Sequence, residues 1–254
     1  RTTLGTPVPI SPAFFLSLTF SRVQDAWSIL DHASAGVDVL ELRVDLLHAD
    51  GQPSIDDVRE QVALLRQYTS LPILYTVRSV SQGGRLPDEA NEAYFALTRL
   101  GLRMGCEYVD IELTRPSDGI EELAQAKGQT RIVASFHDTS GTMHWMAPAM
   151  RRLYTRACVL GDIAKLVGFA RTWQDSLDLE SFRTRVAQEA PFPLIAINMQ
   201  AAGQLSRIVN PLLTPVTHPA LPVPAAPGQM SVRDIHHARH LLCLLYTSPS
   251  PRDG

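Results

Sequence analysis

Arginine supplies nearly all the positive charge of this chain, and Lys127 and Lys165 are its only lysines. Arginine keeps its proton in a protein whereas a lysine can give it up, so a lysine retained inside an apolar segment points to a need for the amine itself. Lys165 is such a residue: it stands in DIAKLVGFA (162–170) with apolar neighbours on both sides. Apolar surroundings disfavour an ammonium ion, and a neutral amine attacks ketones to form imines. The competing reading is an inward lysine paired with an acid for structure alone. His137 ends a second apolar run, VASFHD (133–138). Histidine accepts and returns a proton near neutral pH, although a lone one is more often a core residue bonded to backbone.

Other ionisable residues interrupt or end apolar runs in the same manner. Glu41 and Arg43 are two apart, so a strand would turn both to one side, where they serve either a site or a buried ion pair. Arg78 ends a third run, Asp110 and Glu112 lie in a fourth, Asp138 follows His137, and Met199 ends a seventh. Arg207 lies beyond that seventh run and has a planar fork suited to a carboxylate; the plainer reading is a solvated arginine.

The segments that must position these groups alternate in type. Strand candidates cover 14–20, 37–47, 72–79, 108–113, 130–138, 162–170, 193–199 and 214–218, the last being the weakest pattern. Helical periodicity follows each one, at 23–33, from Ser54 onward, and at 89–104, 119–126, 149–160, 173–188, 204–210 and 232–245. Ser54 with Asp56 and Asp57 behind it reads as an N-cap and an acidic first turn. Strand–helix alternation on this scale predicts an α/β fold of one domain, a (β/α)8 TIM barrel with catalytic groups at the C-terminal ends of its strands. No glycine-rich fingerprint follows the first strand, which argues against a dinucleotide-binding sheet.

Composition narrows the function further. A formal net charge of -3 without basic runs gives no reason to expect a nucleic-acid partner, and no apolar run is long enough for a membrane span. Cys106, Cys158 and Cys243 are too scattered for a disulfide framework or zinc cluster, which fits a cytoplasmic setting. The start lacks both Met and an apolar leader, so the segment is expected to come from a longer chain. Residues 1–12 read as a linker, 13–245 as the barrel, and the Ser/Pro-rich 246–254 as a disordered or foreign tail.

In order along the chain stand ELRVDLL (41–47), YTVRSVSQGG (75–84), YVDIEL, SFHD, DIAKLV, MQAAGQLSR (199–207) and APGQ (226–229). Together they resemble the type I 3-dehydroquinate dehydratases. QGGRLPDEA, TPVTHP and PAAPGQMS are similar to the fungal branch, in which this segment follows a shikimate kinase and precedes a shikimate dehydrogenase. The resemblance implies that Lys165 forms an imine with the C3 ketone of 3-dehydroquinate. His137 takes a proton from C2 and protonates the departing C1 hydroxyl, and hydrolysis releases 3-dehydroshikimate. It also implies that Arg207 and Gln229 hold the substrate carboxylate, and that Glu41, Arg43 and Arg78 meet its ring hydroxyls. Asp110 and Met199 support or line the site. No metal or organic cofactor is implied, and a homodimer is compatible with the family.

Two positions depart from the bacterial pattern. Gln82 stands where many members have an acid able to bond the histidine, so Glu41 or Asp110 is expected to take over that role; Ala225 stands where a serine is common. The resemblance extends to a non-catalytic sensor domain in a repressor of quinate use, against which the intact Lys165, His137 and Arg207 argue. A class I aldolase shares a lysine on the sixth strand but does not require SFHD, SR and APGQ together.

Overall fold

The computed structural model describes residues 12–48 and 53–242. The expected linker, the tail and the end of the last helix therefore lie largely outside the described residues. The strands are β1 (Phe14–Leu18), β2 (Val39–Arg43), β3 (Ile73–Thr76), β4 (Tyr108–Glu112), β5 (Arg131–His137), β6 (Ile163–Phe169), β7 (Leu194–Met199) and β8 (Thr214–Val216). They form one sheet in the order β7-β6-β5-β4-β3-β2-β1-β8, with β1 parallel to both β2 and β8. Ladders run continuously from β7 round to β8, giving the nearly closed (β/α)8 barrel that the alternation of segments predicts. Pro215 lies within the three-residue β8 and has no N–H to donate, so this strand is poorly equipped to close the seam.

Each strand leads into a helix: α1 (Trp27–Ala33), α2 (Ile55–Tyr68), α3 (Asn91–Arg103), α4 (Ser117–Gln125), α5 (Pro148–Leu160), α6 (Trp173–Glu189), α7 (Gln204–Val209) and α8 (Val232–Leu241). Ser54 caps α2 as expected, in a reciprocal capping box with Asp57. Strands are generally shorter than their apolar runs. The expected strand over 37–47 leaves the ladder after Arg43 as a 3-10 turn, Val44–Leu46, which brings the Asp45 carboxylate back onto Arg43.

Alternation along each strand divides the residues into two sets. Outward residues such as Leu40, Leu42, Tyr75, Ile111, Ala164 and Leu166 join the cores beneath the helices. The inward set begins with an apolar floor of Phe15, Val39, Leu74, Val133, Ile163, Ile195 and Leu213. Two residues further along come Ser17, Glu41, Thr76, Asp110, Ser135 and Lys165, adjacent pairs of which stand in register across the ladders. Two residues further again, at the strand ends or just past them, come Arg43, Arg78, Glu112 and His137. The barrel is thus an apolar plug with a polar layer above it and the site above that.

This packing leaves little room where α3 crosses β3. A methyl placed on Gly101 would sit 2.6 Å from the Tyr75 ring, which is fully buried and donates its hydroxyl to the Leu97 carbonyl at 2.8 Å. Gly101→Ala is therefore expected to lower the unfolding free energy by about 1–3 kcal/mol in urea titrations. Unchanged stability would mean that β3 is not pinned from behind.

Candidate active site

The C-terminal ends of the strands surround a cavity of about 300 Å³. Glu41, Arg43, Arg78, Gln82, His137, Lys165, Met199, Arg207 and Gln229 all line it. Asp110, the remaining expected residue, lies beneath the cavity and reaches it through Lys165. Asp138 does not contribute: its carboxylate turns away to accept the backbone N–H groups of Ser140, Gly141 and Met143.

Lys165 does not occupy the apolar sleeve that its sequence neighbours suggest. Ala164 and Leu166 face the helices, while the lysine points inward, with Nζ 3.1 Å from Asp110 Oδ2 and 3.9 Å from Glu41 Oε1. The Phe15 ring lies 5.2 Å from the same nitrogen. The correction comes from the period of two, which separates a strand residue from its immediate neighbours. Glu41 is fixed by the hydroxyls of Ser17 and Thr76, the latter at 2.8 Å. Asp110 accepts the Ser135 hydroxyl at 2.5 Å and pairs with Arg78 at 2.8 Å. Burial alone would raise the Asp110 pKa, but the charges of Arg78 and then Lys165 outweigh it and hold it at about 2.

Arg78 also meets Glu112 at 3.2 Å and donates to Ser135 at 3.0 Å. Arg43 pairs with Asp45 through two bonds of 2.8 and 2.7 Å rather than with Glu41. Asp45 also accepts the backbone N–H groups of Arg78 and Arg85, which ties Arg43 to the loop after β3. Ser17, Asp45, Thr76 and Ser135 were absent from the sequence-derived site. Their signal was present, because each stands two residues from a floor residue or a site residue on its own segment.

Arg207 is fully buried among apolar and backbone groups, not solvated. One nitrogen reaches the Pro215 carbonyl at 3.4 Å, whereas Nε and the other terminal nitrogen have no partner. Burial without a counter-charge pushes its pKa down to about 10, so the guanidinium remains charged at neutral pH. Gln229 accepts the Ala225 backbone N–H at 2.9 Å through its carbonyl oxygen, which leaves its amide nitrogen free to donate into the cavity that both residues line.

Neither Glu41 nor Asp110 orients His137, contrary to expectation; both are committed to the lysine layer. Gln82 does it instead. Its oxygen accepts the His137 backbone N–H at 2.9 Å and lies 3.4 Å from Nδ1, while its nitrogen donates to the Thr114 hydroxyl at 2.7 Å. Because the oxygen must face the backbone N–H, it favours the ring proton on Nδ1 and leaves the Nε2 lone pair free. Burial pushes the imidazole pKa well below 6.5, and the charges of Arg78, Lys165, Arg43 and Arg207 add to the effect.

The family model for type I 3-dehydroquinase matches residues 14–245. The chain belongs to this family. Type I 3-dehydroquinases are hydro-lyases, and this member is 99% identical over 245 residues to the pentafunctional AROM polypeptide of Malassezia globosa, covering 96% of this chain and 15% of that one. It is 46% identical over 236 residues to the corresponding polypeptide of Mycosarcoma maydis, covering 90% of this chain and 14% of that one. The chain thus spans about one seventh of the length of these curated relatives. A solved structure of the dehydroquinate dehydratase and shikimate dehydrogenase of S. pombe AroM superposes with a TM-score of 0.89 at 43% identity, covering 91% of this chain and 45% of that one.

The lowered His137 pKa has a measurable sign. Imidazole accepts a proton only above its pKa, so lowering the pKa extends the neutral, basic form to more acidic pH. The acid limb of kcat/KM is expected to lie below pH 6.5 and to move upward in Gln82→Glu, where an anion beside the ring favours its protonation. A limb above pH 6.5 in the unaltered enzyme, or no movement in Gln82→Glu, would contradict this electrostatic account.

Proposed function

We propose that this chain eliminates water from 3-dehydroquinate through an imine on Lys165, giving 3-dehydroshikimate for aromatic amino acid biosynthesis. The observation that carries the reading is the unmatched charge of Arg207. In the barrel interior, Glu41, Asp45, Asp110 and Glu112 each face a basic partner. Arg207 has none among the described residues, and its free N–H groups are buried in the wall of the cavity. A substrate carboxylate supplies the missing charge, assisted by the free amide nitrogen of Gln229. Lys165 is in the same cavity, so an anion held by Arg207 presents the rest of its ring to the amine.

Lys165 attacks the C3 ketone, and loss of water from that adduct gives the iminium, which draws electrons from the C2–H bond. Asp110, held near 2, is too weak a base to remove that proton. His137 is kept neutral and takes it at Nε2, then returns it to the leaving C1 hydroxyl. Hydrolysis of the conjugated imine restores the lysine. The iminium itself serves as the electron sink, so the proposed reaction calls for no metal or organic cofactor. Glu41, Arg43 and Arg78 meet the ring hydroxyls, and Met199 supports the apolar wall. We read the chain as one catalytic segment of a larger cytoplasmic polypeptide, fused to shikimate kinase and shikimate dehydrogenase segments.

Lys165→Ala is expected to abolish turnover in a dehydroshikimate absorbance assay. His137→Ala is expected to lower kcat by about 10²- to 10⁴-fold with substrate binding retained. Near-normal kcat in either variant would overturn the assignment of these roles.

A further inference from the structure

Gln200 is a polar residue of the cavity to which the family reading gives no role. It follows Met199 at the end of β7, lines the cavity, and adopts φ 73 and ψ 168. That region of backbone space is nearly reserved for glycine, and another residue held there stores strain of the kind that accumulates at functional sites. Among the described residues, positive φ outside glycine occurs also at His48 and Leu213, and of these three only Gln200 lines the cavity.

Its side chain is equally unusual. The other polar side chains lining the cavity have at least one protein partner, from Ser17 on Glu41 to Thr139 on the Ser81 carbonyl. Among the described residues, the Gln200 amide has none, and its hydrogen bonds are all made by its backbone. Its backbone, by contrast, is tightly held: its N–H donates to the Pro227 carbonyl at 3.1 Å, and its carbonyl accepts from Gly203 at 3.0 Å. A Cβ on Gly228 would lie 2.4 Å from the Gln200 carbonyl oxygen, so the 225–229 loop packs directly against this residue. A strained backbone fixed from both sides thus carries an uncommitted amide. It lies where the segments bearing Arg207 and Gln229 meet.

From this arrangement we infer that Gln200 is a substrate-binding residue whose amide N–H donates to the oxygen substituents at C1 of the substrate, the carboxylate and the hydroxyl that departs. The inference rests on the dehydratase reading and adds a recognition group to it. Holding the backbone in this conformation fixes the direction in which the side chain leaves the chain at the cavity wall, while the amide itself is ordered only when substrate binds.

Steady-state kinetics and thermal unfolding of Gln200→Gly, Gln200→Ala and Gln200→Glu test it in the full chain. The Gly and Ala variants are expected to raise KM for 3-dehydroquinate about tenfold with kcat within about twofold, as for a lost hydrogen bond to a charged group. The Gly variant should also unfold about 2–4 °C higher, because it relieves the strain. Gln200→Glu should raise KM further by repelling the carboxylate. Unchanged KM in the Gly and Ala variants would overturn the inference and make the bend purely structural. A smaller loss in the Glu variant than in the Ala variant would overturn the C1 assignment. Absence of turnover in the unaltered enzyme would instead defeat the dehydratase reading on which the inference rests.

Discussion

Asp110 receives the Lys165 amine, the Arg78 guanidinium and the Ser135 hydroxyl with no exposure to solvent, and the rest of the site depends on that contact. Desolvating so many charges is costly, and a buried ion pair seldom stabilises a fold more than apolar packing of similar volume. Removing one partner, however, is severely destabilising, on the order of 3–5 kcal/mol, because it leaves the other charge uncompensated. The cluster therefore holds positions more than it strengthens the fold. It fixes Lys165 above the apolar floor and places Arg78 across β4 and β5. Through Arg78 and Lys165 it also sets the positive potential that keeps His137 neutral.

The same balance explains the opposite wall of the cavity. Where β2, β3, β4 and β6 match each acid with a base, α7 brings in Arg207 without an acid. A buried cation without a counter-charge is costly, a cost that the proposed substrate carboxylate would offset. The barrel thus separates two tasks. One wall holds the proposed nucleophile within a paired cluster of charges, and the other carries the proposed site for the substrate carboxylate. The neutral Gln82 fits this division. A carboxylate at its position would favour the imidazolium form and work against the base role proposed for His137.

The barrel was legible because eight apolar runs, each followed by helical periodicity, leave few other architectures. That Lys165, His137, Arg43 and Arg78 would line one cavity was also legible, because they are ionisable residues in or beside largely buried strands. The apolar surroundings read for Lys165 gave way to the inward pairing with an acid that stood as the alternative, because adjacent residues point to opposite sides of a strand; its neighbours are Glu41 and Asp110, far away in sequence. The partner of His137 was misread for a related reason. Gln82 reaches it from a 3-10 turn after β3, and nothing in the spacing predicts where that turn folds back. Gln200 was invisible because its distinguishing feature is a backbone angle, which its sequence does not announce.

The central claim is that the paired lysine of the polar layer is the nucleophile. Incubating the full chain with 3-dehydroquinate and sodium borohydride, followed by intact and peptide mass spectrometry, tests it most directly. The account predicts one reduced adduct per chain, located on Lys165, with activity lost in step with its formation. An adduct on Lys127, or none on folded protein that still consumes substrate, would contradict it.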